Sequence, residues 1–366
     1  MIITILVVSL LLIFTIIFFK QQKFGRKPSG ERLAILKKSP HYSDGSFNNI
    51  SNTPALSEGV SYFTALKEFL FKKNPRRKPS QPLPNIKTDL LNLDLNENVL
   101  IWFGHSSYYM QLDGKTILVD PVFSGAASPI SFTTKAFEGS DIYTPADFPM
   151  IDYLFVTHDH WDHMDFDTLS ELRPKIRKVI CGLGTGAHLT YWGYPQDLIE
   201  ELDWNEDLNL DPEFSVHSIP GRHFSGRSFK RNETLWSAFI FKTPSSKIFI
   251  GGDSGYDTHF KEAGDKYGPF DLAILENGQY DKNWKYIHMQ PDEVLKAAED
   301  LKAKTLLPVH SAKFALANHA WDTPLKTITS LHSGSSPFSI ITPKIGEKVA
   351  LNDENQVFDE WWLGVD

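Results

Sequence analysis

Hydrophobic positions change their period several times along the chain, and each change marks an element. Ile2 to Phe19 is continuously apolar, relieved only by Thr4, Ser9 and Thr15. At about 1.5 Å rise per residue such a run nearly matches a hydrocarbon core of about 30 Å and reads as a transmembrane helix. Residues 21–52 carry Gly, Ser, Asn and Lys with no periodicity and read as a linker. Tyr62, Leu66 and Phe69, together with Phe63 and Leu70, recur at helical spacing. Pro75, Pro79, Pro82 and Pro84 then break any helix and predict an extended connector.

From Asn98 the pattern becomes strand-like. Val99–Phe103, Tyr108–Leu112 and Thr116–Val119 read as three strands, the last two joined by the Asp113-Gly114 turn signal. Strand and helix signals then alternate. Tyr153–Val156, Lys178–Cys181, Phe214–Pro220, Thr234–Phe241, Lys247–Ile250, Asp271–Leu275 and Lys304–Pro308 are the further strands. Phe166–Leu172, a turn through Ala187 and Leu189, and Pro291–Lys302 are the helices. The chain divides into an anchor at 1–20, a linker with a helical and extended segment at 21–97, and a main domain at 98–366.

The chemistry concentrates between one strand and the next helix, in Thr157-His158-Asp159-His160-Trp161-Asp162-His163-Met164-Asp165. Neutral imidazoles and carboxylates are ligands for zinc and similar divalent ions. His158 and His160, two apart on an extended segment, can grip one ion. Asp162 and His163 lie where the chain turns and can hold a second. A helix cap would explain one aspartate and none of the histidines.

Composition narrows the class. Apolar residues at 41% and charged residues at 22% are ordinary for a globular protein of 366 residues. A net charge of −8 argues against a nucleic-acid partner. The single cysteine, Cys181, excludes an intramolecular disulfide and a cysteine metal cage. The apolar N-terminus lacks the basic start and small-residue cleavage site of a signal peptide. Lys20, Lys23, Arg26 and Lys27 follow it, so the positive-inside rule makes it a single-pass anchor with a cytoplasmic catalytic domain. The helix near residues 60–73, with basic residues after it, fits either an anionic membrane surface or packing on the main domain.

The His-x-His-x-Asp-His motif after a strand resembles the signature of the metallo-β-lactamase superfamily. Gly104-His105-Ser106-Ser107, Asp120-Pro121-Val122-Phe123-Ser124, Gly252-Asp253-Ser254-Gly255-Tyr256, His288-Met289-Gln290-Pro291-Asp292-Glu293 and Val309-His310-Ser311-Ala312-Lys313-Phe314 are similar to the N-acylphosphatidylethanolamine-hydrolysing phospholipase D group and its bacterial relatives. The resemblance implies a four-layer αββα sandwich of the α/β class. It implies that His158, His160 and His223 hold one ion, that Asp162, His163 and His310 hold a second, and that Asp253 bridges them. Asp253 and His288 are the implied catalytic residues, with His288 also open to reading as a helix-start residue. His105 either approaches the site or bonds within its turn, and Asp120 supports the metal loop from behind. His41, His188, His217, His259, His319 and His332 read as surface or packing residues.

The function implied is a phospholipase D-type phosphodiesterase in which two divalent ions share a hydroxide. Zinc leads as cofactor, and the same donors accept manganese or iron. The expected partners are a phospholipid, or another phosphodiester or ester, and a membrane. Two alternatives stand beside it, a hydrolase of a small soluble lactone, ester or phosphodiester, and a non-catalytic, membrane-anchored metal-binding protein.

Overall fold

The computed structural model describes residues 2–353 and 355–365, without the side chains of Ile2, Leu66, Phe69 and Leu70. The helical stripe expected at residues 62–70 therefore lies partly outside the described residues. Eight helices are present among those described: α1 (Ile2–Phe19), α2 (Gly30–Leu36), α3 (Tyr62–Phe71), α4 (Phe166–Leu172), α5 (Gly186–Tyr191), α6 (His259–Tyr267), α7 (Pro291–Asp300) and α8 (Thr323–Leu331). A small hairpin, β1 (Tyr42–Ser43) and β2 (Ser46–Phe47), precedes two seven-stranded sheets.

The first sheet contains β3 (Val99–Trp102), β4 (Tyr108–Leu112), β5 (Lys115–Val119), β6 (Ile151–Val156), β7 (Ile176–Gly182), β8 (Ile199–Leu202) and, at its edge beside β3, β16 (Lys348–Ala350). The second contains β9 (Asp207–Asp211), β10 (Phe214–Pro220), β11 (Ser237–Lys242), β12 (Lys247–Ile250), β13 (Phe270–Glu276), β14 (Ala303–Val309) and β15 (Ser339–Ile340) in chain order. Each sheet begins antiparallel and becomes parallel, from β5 onward in the first and from β12 onward in the second.

Strand alternation sets the layers, because successive side chains point to opposite faces. Tyr153 and Phe155 face Phe239 and Phe241 in the core between the sheets, with Ile248, Ile250, Leu272 and Ile274. Leu154 and Val156, on the other face, pack on Leu169 and Leu172 of α4 and Leu189 of α5. Ala238, Ile240 and Phe249 do the same against α6, α7 and α8. The result is helix, sheet, sheet, helix, the αββα order expected.

One part of the expected fold is overturned. No helix among the described residues is long and apolar enough to cross a membrane. The anchor expected at residues 1–20, and the single-pass membrane localisation built on it, are therefore corrected. The apolar run does fold as α1, but its 18 residues span only about 27 Å. Its last turn is engaged elsewhere. Phe18 and Phe19 pack on Phe24 with ring centroids 5.2 and 5.0 Å apart, and Phe19 also meets Phe229 at 4.8 Å.

Residues 20–97 lie against the sandwich. Leu36 and Phe47 are fully buried beside Leu183, Trp204, Leu235 and Trp236. Leu83 joins the inter-sheet core and Leu90 the core under α4. These buried residues are isolated in sequence, so no period announces them.

Candidate metal centre

The loops that matter leave the carboxyl ends of strands, where ligands of α/β sheets commonly bind. The histidine loop follows β6, His223 follows β10, Asp253 follows β12, Glu276 ends β13 and His310 follows β14. Several of these turns hold non-glycine residues at positive φ. His105 (52°), Asp120 (42°), Gln279 (56°) and His310 (67°) are all of this kind, and such backbone clusters at functional sites. Gly252, before Asp253, has φ +59°, and a Cβ there would lie 2.9 Å from the Cβ of Thr157 and 3.2 Å from the Ser237 carbonyl. Only glycine lets the Asp253 loop approach the histidine loop so closely.

His158, His160 and His223 bring their ring nitrogens together within 4.8 Å of one another. His160 Nδ1 lies 2.9 Å from His158 Nε2 and 3.3 Å from His223 Nε2. The outer nitrogen of His223, Nδ1, donates to the Ile287 carbonyl at 2.9 Å, which leaves Nε2 an acceptor. Three imidazole acceptors turned toward each other suit a shared cation.

A second group gathers His105, Asp162, His163 and His310. Asp162 Oδ2 is 2.9 Å from His105 Nε2, 3.6 Å from His163 Nε2 and 4.0 Å from His310 Nε2. Asp253 stands between the groups. Its Oδ2 lies 3.9, 3.7 and 3.2 Å from the Nε2 atoms of His158, His223 and His163, and its Oδ1 lies 2.8 Å from His310 Nδ1. His163 Nε2 is buried with no hydrogen bond, although two carboxylates flank it. Asp120 supports this ring from the other side, accepting from His163 Nδ1 at 2.8 Å and from the amide and hydroxyl of Thr157 at 2.8 and 2.6 Å. That partner fixes the tautomer and leaves His163 Nε2 to the centre.

Burial holds His158 and His223 well below the ordinary histidine pKa, lowers His160, and pushes His310 down to about 3. These rings are neutral at pH 7, the form that binds metal. Burial also works against a charged His163, but Asp253, Asp162 and Asp120 outweigh it and raise its pKa well above the usual range. Despite their burial, Asp162 and Asp253 are held well below theirs, with His163 the strongest opposing influence on each. Two carboxylates kept ionised beside the neutral rings of His158, His160, His223 and His310 form a donor set that fits divalent cations.

His288 approaches the first group, its ring centroid 5.0 Å from that of His223 and 5.3 Å from that of His310. Its Nδ1 meets Glu276 Oε2 at 2.5 Å. The other oxygen of Glu276 accepts from the amides of Ser254 and Met289. Burial raises the Glu276 pKa to about 7, and Glu276 in turn raises that of His288 to about 9 against burial.

All seven expected ligand positions and His288 thus meet in one region. Glu276 was not anticipated. The rule that found Asp253, an acid where a strand ends, would have found it. His105, open to two roles from the sequence, lies against Asp162. Of the histidines expected to serve packing, His188 and His259 are buried and hydrogen-bonded, to Asp159 and Ser254.

The centre opens into a cleft of about 280 Å³. His160, Asp162, His223, Asp253, His288 and His310 line its floor. Ala55, Leu56, Tyr62, Phe224, Trp284, Ile287 and Leu316 form the walls, with Arg231 and Gln279.

Two seven-stranded sheets between helices, with histidines and aspartates at the strand ends, define a metal-dependent hydrolase. Residues 115–311 match the beta-lactamase superfamily domain, and the chain belongs to the metallo-β-lactamase superfamily. An uncharacterized protein of Mycobacterium tuberculosis is 34% identical over 333 residues, covering 90% of this chain and 89% of the relative. N-acyl-phosphatidylethanolamine-hydrolyzing phospholipase D 1 of Caenorhabditis elegans is 27% identical over 330 residues, covering 82% and 90%. The metallo hydrolase Igni18 from Ignicoccus hospitalis shares the fold, with a TM-score of 0.52 at 20% identity over 69% of this chain and 97% of that one. The fold implies divalent metal ions, and the clusters described fit them.

Proposed function

We propose that this hydrolase cleaves a phosphodiester of an N-acylphosphatidylethanolamine-like phospholipid, in the manner of a phospholipase D. The observation that carries the reading is the make-up of the cleft, with the ionised carboxylates of Asp162 and Asp253 and the neutral imidazoles of His160, His223 and His310 on the floor beside a protonated His288, apolar walls, and the exposed Arg231 in its lining. A phosphodiester needs the first and last of these, and a lipid headgroup with its first methylenes suits the walls. The name of the Caenorhabditis elegans relative supports the same chemistry.

His158, His160 and His223 would hold one ion, and Asp162, His163 and His310 a second, with Asp253 shared. Zinc suits this donor set, as would manganese or iron. Bound ions of this kind act as Lewis acids and lower the pKa of water toward neutrality. The chain's own groups do the positioning. Asp253 orients the attacking water by accepting its hydrogen. Glu276 occupies His288 Nδ1, which leaves Nε2 to protonate the departing alcohol oxygen as the phosphorus–oxygen bond breaks. The products are a phosphatidic acid and an N-acylethanolamine.

The size of the cleft favours a second reading. About 280 Å³ is at the low end for a drug-sized ligand, so a small ester, lactone or phosphodiester would also be enclosed. The test is incubation of the full chain with N-acylphosphatidylethanolamine vesicles, with and without chelator, with products followed by mass spectrometry. Chelator-sensitive release of N-acylethanolamine and phosphatidic acid supports the phospholipase reading. No release from a metal-loaded chain sinks it and leaves the small-substrate reading.

A further inference from the structure

The metal-binding loops are gripped from outside by residues far away in sequence. Asn49 makes two hydrogen bonds to the backbone of one ligand residue. Its Oδ1 accepts from the His223 amide at 3.1 Å, and its Nδ2 donates to the His223 carbonyl at 2.8 Å. Arg227, with 4% of its surface exposed, holds the histidine loop. Its Nη1 donates to the carbonyls of Asp159 and Met164, at 2.8 and 2.7 Å, spanning the turn that carries His160 and His163. The same guanidinium donates through Nε and Nη2 to the Lys23 carbonyl, at 3.1 and 2.9 Å. It also stacks 3.9 Å from the ring centre of Trp161.

A third tie runs through Asp159, the acid inside the histidine motif. It accepts from the Gly226 amide at 2.6 Å and meets His188 Nε2 at 3.2 Å, while His188 Nδ1 accepts from the Arg26 amide at 3.1 Å. Lys23, Arg26 and Asn49 all precede the matched domain, which begins at residue 115. Residues in the 23–49 segment thus add ties to the loops from outside that domain, through Arg227, His188 and the His223 backbone.

We propose that this N-terminal segment positions the His158, His160 and His223 donor set and so sets its affinity for a divalent cation. Asn49 is a positioning residue acting through the His223 backbone, and Arg227 transmits the grip of Lys23 to the histidine loop. The proposal is independent of which ester the centre cleaves. Outer groups that orient metal ligands typically contribute 10–100-fold in metal affinity.

The test uses the full chain, stripped with chelator and titrated with cobalt(II), with the visible absorption of bound cobalt as readout and thermal unfolding alongside. Asn49→Ala removes both bonds at a half-buried position. Asn49→Asp keeps the acceptor for the His223 amide and loses the donor. Asn48→Ala is the control on the same segment, since among the described residues its side chain bonds only within the β1–β2 hairpin, to Ser43 and Ser46. The expected result is that one cobalt-binding step weakens about 10–100-fold in Asn49→Ala and less in Asn49→Asp, with a changed spectrum. Asn48→Ala matches the parent. A folded Asn49→Ala with cobalt affinity and spectrum like the parent overturns the proposal, whatever its unfolding temperature. If Asn49→Ala does not fold, parental affinity and spectrum in Asn49→Asp overturn it equally.

Discussion

Replacing Asp120 by Asn tests whether the centre depends on groups that never touch substrate. The Asp120 carboxylate accepts from three donors, the Thr157 amide on Oδ1 and the Thr157 hydroxyl and His163 Nδ1 on Oδ2. Asparagine has nearly the same shape and tolerates the positive φ of 42° at this position. It offers only one acceptor oxygen. If that oxygen faces His163, the amide NH2 confronts the Thr157 N–H. If it faces the Thr157 amide, His163 Nδ1–H loses its acceptor. Either orientation leaves a buried donor unsatisfied, costing about 1–3 kcal/mol of stability. The second orientation also frees the His163 ring to change tautomer, so metal affinity should fall about 10–100-fold. Urea unfolding of the chelated chain measures the first effect, and cobalt or zinc titration the second. A metal affinity within about threefold of the parent would refute the argument that Asp120 orients His163.

Three other expectations follow from the same geometry. Asp253→Asn removes the one carboxylate common to both ligand groups, and activity should drop at least about 100-fold with the fold intact; near-parental turnover on whichever ester proves to be the substrate would contradict a shared role. Gly252→Ala at φ +59°, with its Cβ 2.9 Å from Thr157, should cost about 2 kcal/mol or more in urea unfolding, and an unchanged midpoint would remove the close-approach argument. The metal-free chain should lose stability between pH 7 and 5. Unfolding lets His158, His160, His223 and His310 take up protons near pH 6.5 that the fold refuses, so their contribution is present above that pH and lost as pH falls, for His310 toward about 3. The His163 and His288 contributions have the opposite sign, present below about pH 6.5 and lost as pH climbs, for His288 through about 9, so two rings offset part of the loss from the four. A urea midpoint that is flat from pH 7 to 5 would refute the claim that the four rings are held neutral.

Strand periodicity and turn signals were enough to place ten of the strands and the ends from which His223, Asp253 and His310 project, while the layered sandwich rested on the family resemblance of the histidine motif. They suffice because a strand buried on both faces must be apolar, and a polar residue just past such a strand is exposed to the site rather than to the core. Other features were invisible for equally physical reasons. The apolar run at residues 2–19 has the composition of a membrane span, but composition does not carry what its last turn packs on. Phe24 and Phe229 decide that. Leu36 and Phe47 are single anchors in an aperiodic segment, so burial there depends on the surface they meet. His105 becomes part of the centre through a turn brought against Asp162 from a distant strand, and Asn49 and Arg227 act on it through backbone atoms that no side-chain motif records. The sequence by itself determined which residues could bind a cation and at which strand ends they stand. Which nitrogens and oxygens face each other came from the folded chain, because hydrogen bonds across 43 to 204 residues fix the tautomers and the turns.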